Sequence, residues 1–323
     1  MTGASDRIAI TPEERRAAVI EVIGAARSRL LLSLFRCDDF AVLDAIADAL
    51  GRGVHVEVLM TDRARGGRKG RDQLETVLGD AGATLHRYGD PVVKYHAKYI
   101  VADTCALVAS ANWTHKCLER TCDFALATTD AGVVRALAAV FAIDCAEKAL
   151  ASDVMHERLI IGPENARERL TALLRSAKSS LDIVDPKLTD PAIRELLAAC
   201  RRAGIRVTCH EGDRVGSLAA HGKLIVVDDR VAVIGSLSLS AMHLAFRREL
   251  ALTTTDPGVI ASLNDFLRAL RGDGRPEGRP HRNAESDGRP EGRHHRDDEG
   301  RHRDDEGGGG TSVAPAFRPA SPR

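Results

Sequence analysis

The pattern His-x-Lys-x(4)-Asp occurs twice in this chain. It reads His96, Lys98 and Asp103 in HAKYIVAD, and His221, Lys223 and Asp228 in HGKLIVVD. Each copy is followed by a second strand-like run ending in small polar residues. ALVASANW carries Ser110 and Asn112, and VAVIGSLS carries Ser236 and Ser238. A strand, turn, strand and small-residue cluster repeated as a unit requires the fold to build one substructure twice.

The repeat reaches well beyond these strings. PEERRAAVIEVIGAARSRLLL, from Pro12, aligns without gaps with PENARERLTALLRSAKSSLDI, from Pro163. Both segments are expected to open a helix on Pro-Glu. Both carry an apolar helical stripe, Val19, Ile20 and Ile23 in one and Leu170, Leu173 and Leu174 in the other. Short strands follow, LLLSLF and LDIV, then the helices FAVLDAIADALGRG and DPAIRELLAACRRAG, with glycines suited to their C-termini. The strands VHVEVLM and IRVTCH come next. Strand, helix, strand at this spacing predicts a parallel βαβ unit in each half.

The spacing inside the motif carries chemistry. KYHAKYIVA and HGKLIVV read as strands, and side chains two apart on a strand share a face. His96 and Lys98 are therefore expected to project together, as are His221 and Lys223. An imidazole can attack phosphorus or move a proton near neutral pH. An ammonium supplies compact positive charge to non-bridging oxygens. Ser110, Asn112, Ser236 and Ser238 can add neutral donors.

At these residues the chain resembles the phospholipase D superfamily, whose signature is His-x-Lys-x(4)-Asp followed by Gly-Ser-x-Asn. The second copy fits, with Ser238 in place of Asn. The first has a hairpin one residue shorter and Ala109 in place of Gly. The resemblance covers residues from about 10 to 270. It implies an α/β fold of two pseudo-two-fold-related halves, 10–150 and 160–270, each a mixed β-sheet flanked by helices. It also implies one shared cleft, so that a monomer suffices for a complete site. His96 would be the nucleophile, forming a phosphohistidine, and His221 the acid and base. Lys98 and Lys223 would stabilise charge on phosphorus. Glu249 and Asp123 would orient the imidazoles, and Asp103 and Asp228 would be structural. No cofactor and no metal are implied.

The halves differ by an insertion before His96, DRARGGRKGRDQLETVLGDAGATLHRYGDP, expected to add a helix and a strand. Its loop carries Arg63, Arg65, Arg68, Lys69 and Arg71 after the end of a strand, where ligands of open α/β sheets bind. Two readings stay open for it: contact with an anionic substrate, or a solvated loop.

From about 271 to 323 the composition changes to Gly, Pro, Arg, His, Asp and Glu, with DGRPEGR and HRDDEG each repeated. Such a segment buries too little apolar surface to offset its ordering entropy and is expected to be a disordered polyampholyte. Lys plus Arg and Asp plus Glu are both 46, so the chain lacks the basic excess of a protein that mainly holds nucleic acid. Aromatic content is 3%, with one Trp, which disfavours extensive base stacking. MTGASDRIAITPEERR contains no apolar signal region, and no run approaches a bilayer span. Seven cysteines fit reduced thiols in a cytoplasm, and a lipid substrate would be reached by transient membrane-surface contact. Cys117 and Cys122 near His115 lack a second ligand pair for zinc. His86, His156, His210 and His243 show no partner pattern. The expected substrate is a phospholipid or other phosphodiester. Nucleic acid is the alternative substrate, and a non-catalytic binding protein the third reading.

Overall fold

The first half begins with β1 (Asp6–Ala9), which leads into α1 (Pro12–Ala25). A capping box sets the start of that helix: Thr11 accepts from the Glu14 amide, and the Glu14 carboxylate accepts from the Thr11 amide. Next come β2 (Arg29–Leu34), α2 (Phe40–Gly51), β3 (His55–Thr61), α3 (Arg68–Asp80) and β4 (Thr84–Tyr88). They are followed by β5 (Lys94–Tyr95), β6 (Tyr99–Ala102), β7 (Cys105–Ala109), α4 (His115–Glu119), β8 (Thr121–Cys122), β9 (Ala125–Thr128) and α5 (Ala131–Cys145). The second half runs through β10 (Leu159–Ile161), α6 (Ala166–Arg175), β11 (Ser180–Val184), α7 (Pro191–Arg202) and β12 (Arg206–His210). It continues with β13 (Arg214–Val215), β14 (Leu218–Ala220), β15 (Leu224–Val227), β16 (Val231–Gly235), α8 (Ala241–Phe246), β17 (Arg247–Arg248), β18 (Leu250–Thr254) and α9 (Pro257–Arg271).

The computed structural model describes residues 5–61, 68–150 and 154–272, and of residues 68–71 the backbone alone. Arg63 and Arg65, the side chains of Arg68, Lys69 and Arg71, and the polyampholyte segment from residue 273 onward lie outside the described residues.

The two main sheets have the same strand order. One runs β1-β9-β7-β6-β2-β3-β4 and the other β10-β18-β16-β15-β11-β12, so the insertion adds α3 and one edge strand, β4. β2 pairs with β3 in parallel, and β11 pairs with β12 in parallel, as the βαβ spacing predicts. Side-chain alternation then builds the layers. Tyr99, Val101, Ala106 and Val108 join Leu224, Val226, Ala232 and Ile234 in one core shared by both sheets. Ile100, Ala102, Leu107 and Ala109 face α1 and α2, and Ile225, Val227 and Val233 face α6 and α7. The chain is thus a mixed α/β fold of two matching sheets flanked by helices.

Two local expectations need correction. Pro163 does not open the second repeat's first helix, because α6 begins at Ala166. Glu164 instead ion-pairs with Arg248, and the Asn165 side chain accepts from the Ile161 amide at 2.8 Å. These contacts hold the would-be first turn in another shape. Neither His-x-Lys segment is continuous strand either. Residues 96–98 and 221–223 are extended links, the first between β5 and β6 and the second between β14 and β15. The short strand before each link pairs with one partner and the strand after it with another, so the backbone crosses between ladders at the motif.

The motif aspartates sit at hairpin tips in left-handed backbone, with φ of 40° at Asp103 and 52° at Asp228. Asp tolerates this region better than most residues. The Asp103 carboxylate accepts from the amides of Arg27, Ser28 and Arg29, and that of Asp228 from Lys178, Ser179 and Ser180. Each therefore caps the entry to a central strand, β2 or β11. Although partial burial works against it, these hydrogen bonds hold each carboxyl at about 2, below its ordinary 3.8. A carboxyl lowered on folding stabilises the fold fully above its unfolded pKa and loses that contribution as pH falls through the folded value. Asp228→Ala should cost about 1–2 kcal/mol at pH 7, the scale of a lost cap. Denaturation of wild type and variant should converge as pH falls from about 4 to 2. An unchanged gap at pH 2 would contradict this account.

Candidate active site

Two short strand exchanges between the halves build the site. β5 pairs in parallel with β17, with Tyr95 opposite Arg248, so the next residues, His96 and Glu249, lie opposite each other. β14 pairs in parallel with β8, with Ala220 opposite Cys122, so His221 and Asp123 lie opposite each other. Each imidazole therefore meets a carboxylate from the other half. His96 Nδ1 is 2.7 Å from Glu249 Oε1, and His221 Nδ1 is 2.9 and 3.0 Å from the Asp123 oxygens. With Nδ1–H donated to a carboxylate, the Nε2 lone pair of each ring is left for chemistry.

Close backbone approach is a condition of this geometry. A Cβ on Gly222 would lie 2.7 Å from the Cys122 carbonyl and 2.8 Å from the Phe124 ring. A Cβ on Gly235 would lie 2.2 Å from the Leu250 carbonyl. The glycines of HGK and GS are thus required for β14, β16 and β18 to reach their neighbours.

The lysines fold back over their own links. Lys98 Nζ donates to the His96 carbonyl at 2.8 Å, and Lys223 Nζ to the His221 carbonyl at 2.5 Å. Lys98 is buried, and its Nζ also lies 5.2 Å from the Phe35 ring centroid, a cation–π contact. Burial, then the neighbouring Lys223 charge, push Lys98 well below the ordinary lysine range. That repulsion places the two ammonium groups near each other.

The two imidazoles are not equivalent. Burial and then the Lys98 charge hold His96 well below its ordinary pKa, despite Glu249. For His221 the Asp123 charge pulls upward most strongly, but burial and the two lysines together leave it below the ordinary 6.5. The side chain of His96 is 10% exposed and that of His221 28%. Burial raises Glu249, but the adjacent His243 ring and the hydrogen bond from His96 outweigh it and keep the group ionised. Burial raises Asp123 too, but His221, Lys223 and Ser110 bring it down to about 2.

Of the small polar residues, Ser110 and Ser236 are fully buried beneath the site. Ser110 donates to Asp123 at 2.6 Å and accepts from the Phe124 amide, and Ser236 accepts from the Leu250 amide at 3.1 Å. Ser238 donates to Asp185 at 2.9 Å, and its amide donates to Glu249. The three hydroxyls are therefore engaged by the protein itself. Asn112 Nδ2 faces Cys117 Sγ at 3.5 Å, and its Oδ1 is buried without a partner. Among the described residues the site thus joins His96, Lys98, His221, Lys223, Glu249 and Asp123, with Ser110, Asn112, Ser236 and Ser238 around them. Asp103 and Asp228 stand apart at the hairpin tips.

Several participants carry no clear signal in sequence. His243 Nδ1 lies 3.4 Å from Glu249 Oε1, and its ring centroid is 6.4 Å from that of His96. Phe35 packs edge-on against His96 at 4.6 Å. Asp185, raised by burial, accepts from Ser238 and the Leu239 amide. Arg15 is buried and donates to the carbonyls of Asp123 and Thr121 at 3.1 and 2.7 Å, tying α1 to the carboxylate segment. The alignment of α1 with α6 offered a clue only to Arg15: a charged residue on the inward stripe.

The β5–β17 and β14–β8 pairings thus bring the two His-Lys pairs together with two-fold regularity. Residues 19–145 match the family model "Cardiolipin synthase, PLD-like domain", so this segment is similar to the PLD-like domains of that family. Among curated proteins no sequence matches it. Polyphosphate kinase from Porphyromonas gingivalis is similar in structure, with a TM-score of 0.68 at 18% identity over 83% of this chain and 47% of the kinase. This chain thus spans about half of that enzyme's length. Phosphatidylserine synthase from Haemophilus influenzae Rd KW20 gives a TM-score of 0.63 at 15% identity, covering 82% of this chain and 86% of the synthase.

Proposed function

We propose that this chain is a phosphodiesterase or phosphatidyltransferase of the phospholipase D type, acting on phospholipid through a phosphohistidine. The observation that carries the reading is the pair of crossed imidazole–carboxylate contacts beside two mutually repelling lysines. His96 is the nucleophile: buried and held neutral, it presents Nε2 to phosphorus. As the N–P bond forms, the P–O bond to the leaving alcohol breaks, and His221 Nε2–H passes its proton to that oxygen. His221 requires the protonated form for this step. The incoming phosphate anion favours it by offsetting the Lys98 and Lys223 charges. His221 then takes a proton from water or an acceptor alcohol, whose oxygen displaces His96. The greater exposure of His221 suits this exchange with solvent.

A lipid substrate is favoured by the apolar residues near the site. Val92, Met242 and Phe246 are large and exposed, at 65, 66 and 44%. Val92 and Phe246 precede the paired strands β5 and β17 at the same end, and Met242 adjoins His243. Such a rim can meet acyl chains at a membrane surface. Among the described residues no helix is long and apolar enough to cross a membrane. Arg63 and Arg65, outside the described residues, with Arg68, Lys69 and Arg71 of the first turn of α3, would contact the anionic headgroup region. One polypeptide supplies both motif copies, so a monomer would be active. The site is proposed to need neither cofactor nor metal.

The test compares phosphatidylcholine, phosphatidylglycerol, and single- and double-stranded DNA in EDTA. Phospholipid turnover that persists in EDTA and disappears in His96→Ala is expected. DNA cleavage without lipid turnover would overturn the substrate class in favour of an endonuclease.

A further inference from the structure

We propose that Cys117, Asp123 and His221 form a binding site for a soft divalent cation of the zinc class, and that its occupancy takes His221 out of acid–base exchange. Cys117 Sγ, an Asp123 carboxylate oxygen and a His221 ring nitrogen all lie within 4.8 Å of one another. Thiolate, imidazole and carboxylate are the donor types that zinc selects. With metal–ligand distances of about 2.0–2.3 Å and tetrahedral angles, two ligand atoms on one ion stand roughly 3.3–3.7 Å apart. From separations within 4.8 Å, closure needs a shift of about 1 Å. His221, the most exposed of the three, can supply it by turning its ring.

Two further observations point to a ligand here. Cys117 and His221 line a cavity of about 330 Å³, together with Arg36, Asn112, Thr114 and Thr121. It gives an ion a way in and leaves the fourth coordination position to water. Asn112 also has its Oδ1 buried without a partner, an acceptor that a metal-bound water can satisfy.

The ligand set occurs at one of the two pseudo-equivalent positions only. Cys117 is the third residue of α4, and its counterpart, the third residue of α8, is His243 beside Glu249. The thiol thus replaces an imidazole next to the orienting carboxylate of His221 alone. In sequence Cys117 and Cys122 lack further zinc ligands, because the third ligand comes from the other half through the β14–β8 pairing. Thiolate and carboxylate together balance the dication. Binding releases the thiol proton to solvent.

Only the inhibitory consequence rests on the proposed function, so the first measurement is optical. Full-length protein stripped with EDTA and dialysed is titrated with Co²⁺. A thiolate-to-cobalt charge-transfer band saturating at one equivalent is expected, and Zn²⁺ should displace it. Histidines of the C-terminal segment can bind cobalt but give no thiolate band. Cys117→Ala should abolish the band, and His221→Ala should weaken cobalt binding at least tenfold, with both variants shown to be folded by their melting transitions. Cys117→Ser gives a second variant, which should also lose the band. An absent wild-type band, or one unchanged in Cys117→Ala and Cys117→Ser, would overturn the site. Affinity within twofold of wild type in His221→Ala would overturn the three-ligand assignment. In the turnover assay, Zn²⁺ should inhibit wild type at least tenfold and leave Cys117→Ala unaffected. Equal inhibition of both would remove the regulatory consequence.

Discussion

Replacing His96 with Ala is expected to lower turnover by roughly 10⁴-fold or more and to leave no phosphoenzyme. The variant loses the attacking Nε2, and among the described residues no other imidazole holds the same place. His243 is the nearest alternative, but its Nδ1 is turned toward Glu249 and its ring centroid lies 6.4 Å from that of His96. His221→Ala should behave differently. The nucleophile remains while the proton donor is gone, so a substrate with a good leaving group should still phosphorylate His96. Breakdown of the intermediate then stalls, because no base activates water. Rapid acid quenching with ³²P-labelled substrate should show phosphohistidine in His221→Ala and none in His96→Ala. The opposite pattern would exchange the two roles. The pKa directions support the order given: His96 is held neutral more strongly than His221, which keeps the larger upward pull from its carboxylate.

How far this site could be read from sequence depends on the range of each interaction. The βαβ units and the motif hairpins are local, so the continuous apolar runs YIVA and LIVV and the repeated helix stripes disclose them. The seats of Asp103 and Asp228 also follow from local turn chemistry. The strand exchanges do not. β5, β8 and β17 have two residues each and β14 has three, too short for any periodicity to register. Yet those pairings decide which carboxylate meets which histidine. The small hydroxyls were ambiguous for another reason. A Ser can donate to a ligand or to its own neighbours with the same atom. Ser110, Ser236 and Ser238 do the latter, and only Asn112 keeps an open acceptor. His243 was silent because its partner, Glu249, is reached across the two-residue strand β17 rather than through a motif of its own.

The crossed carboxylates lead to the second large effect. Asp123 lies in the first half but orients His221, and Glu249 lies in the second half but orients His96. Replacing the acidic partner of a catalytic imidazole by its amide can cost about 10⁴-fold, because the ring is left in the wrong tautomer. Asp123→Asn should therefore resemble His221→Ala, with turnover down by roughly 10³–10⁴-fold and phosphohistidine accumulating. Glu249→Gln should resemble His96→Ala, with a comparable loss and little phosphoenzyme, since the ring that fails is the nucleophile. Both carboxylates are fully buried, so folding is to be checked by thermal melts, and Asp123→Glu should restore part of the activity because it keeps the charge. The pH profile separates orientation from mere structural support. Losing the Asp123 charge removes the strongest upward pull on His221, so its apparent pKa should move further below 6.5 and the acid-dependent limb toward lower pH. If each amide variant instead imitated the histidine of its own half, the pairing across β5–β17 and β14–β8 would not be the one that operates in catalysis.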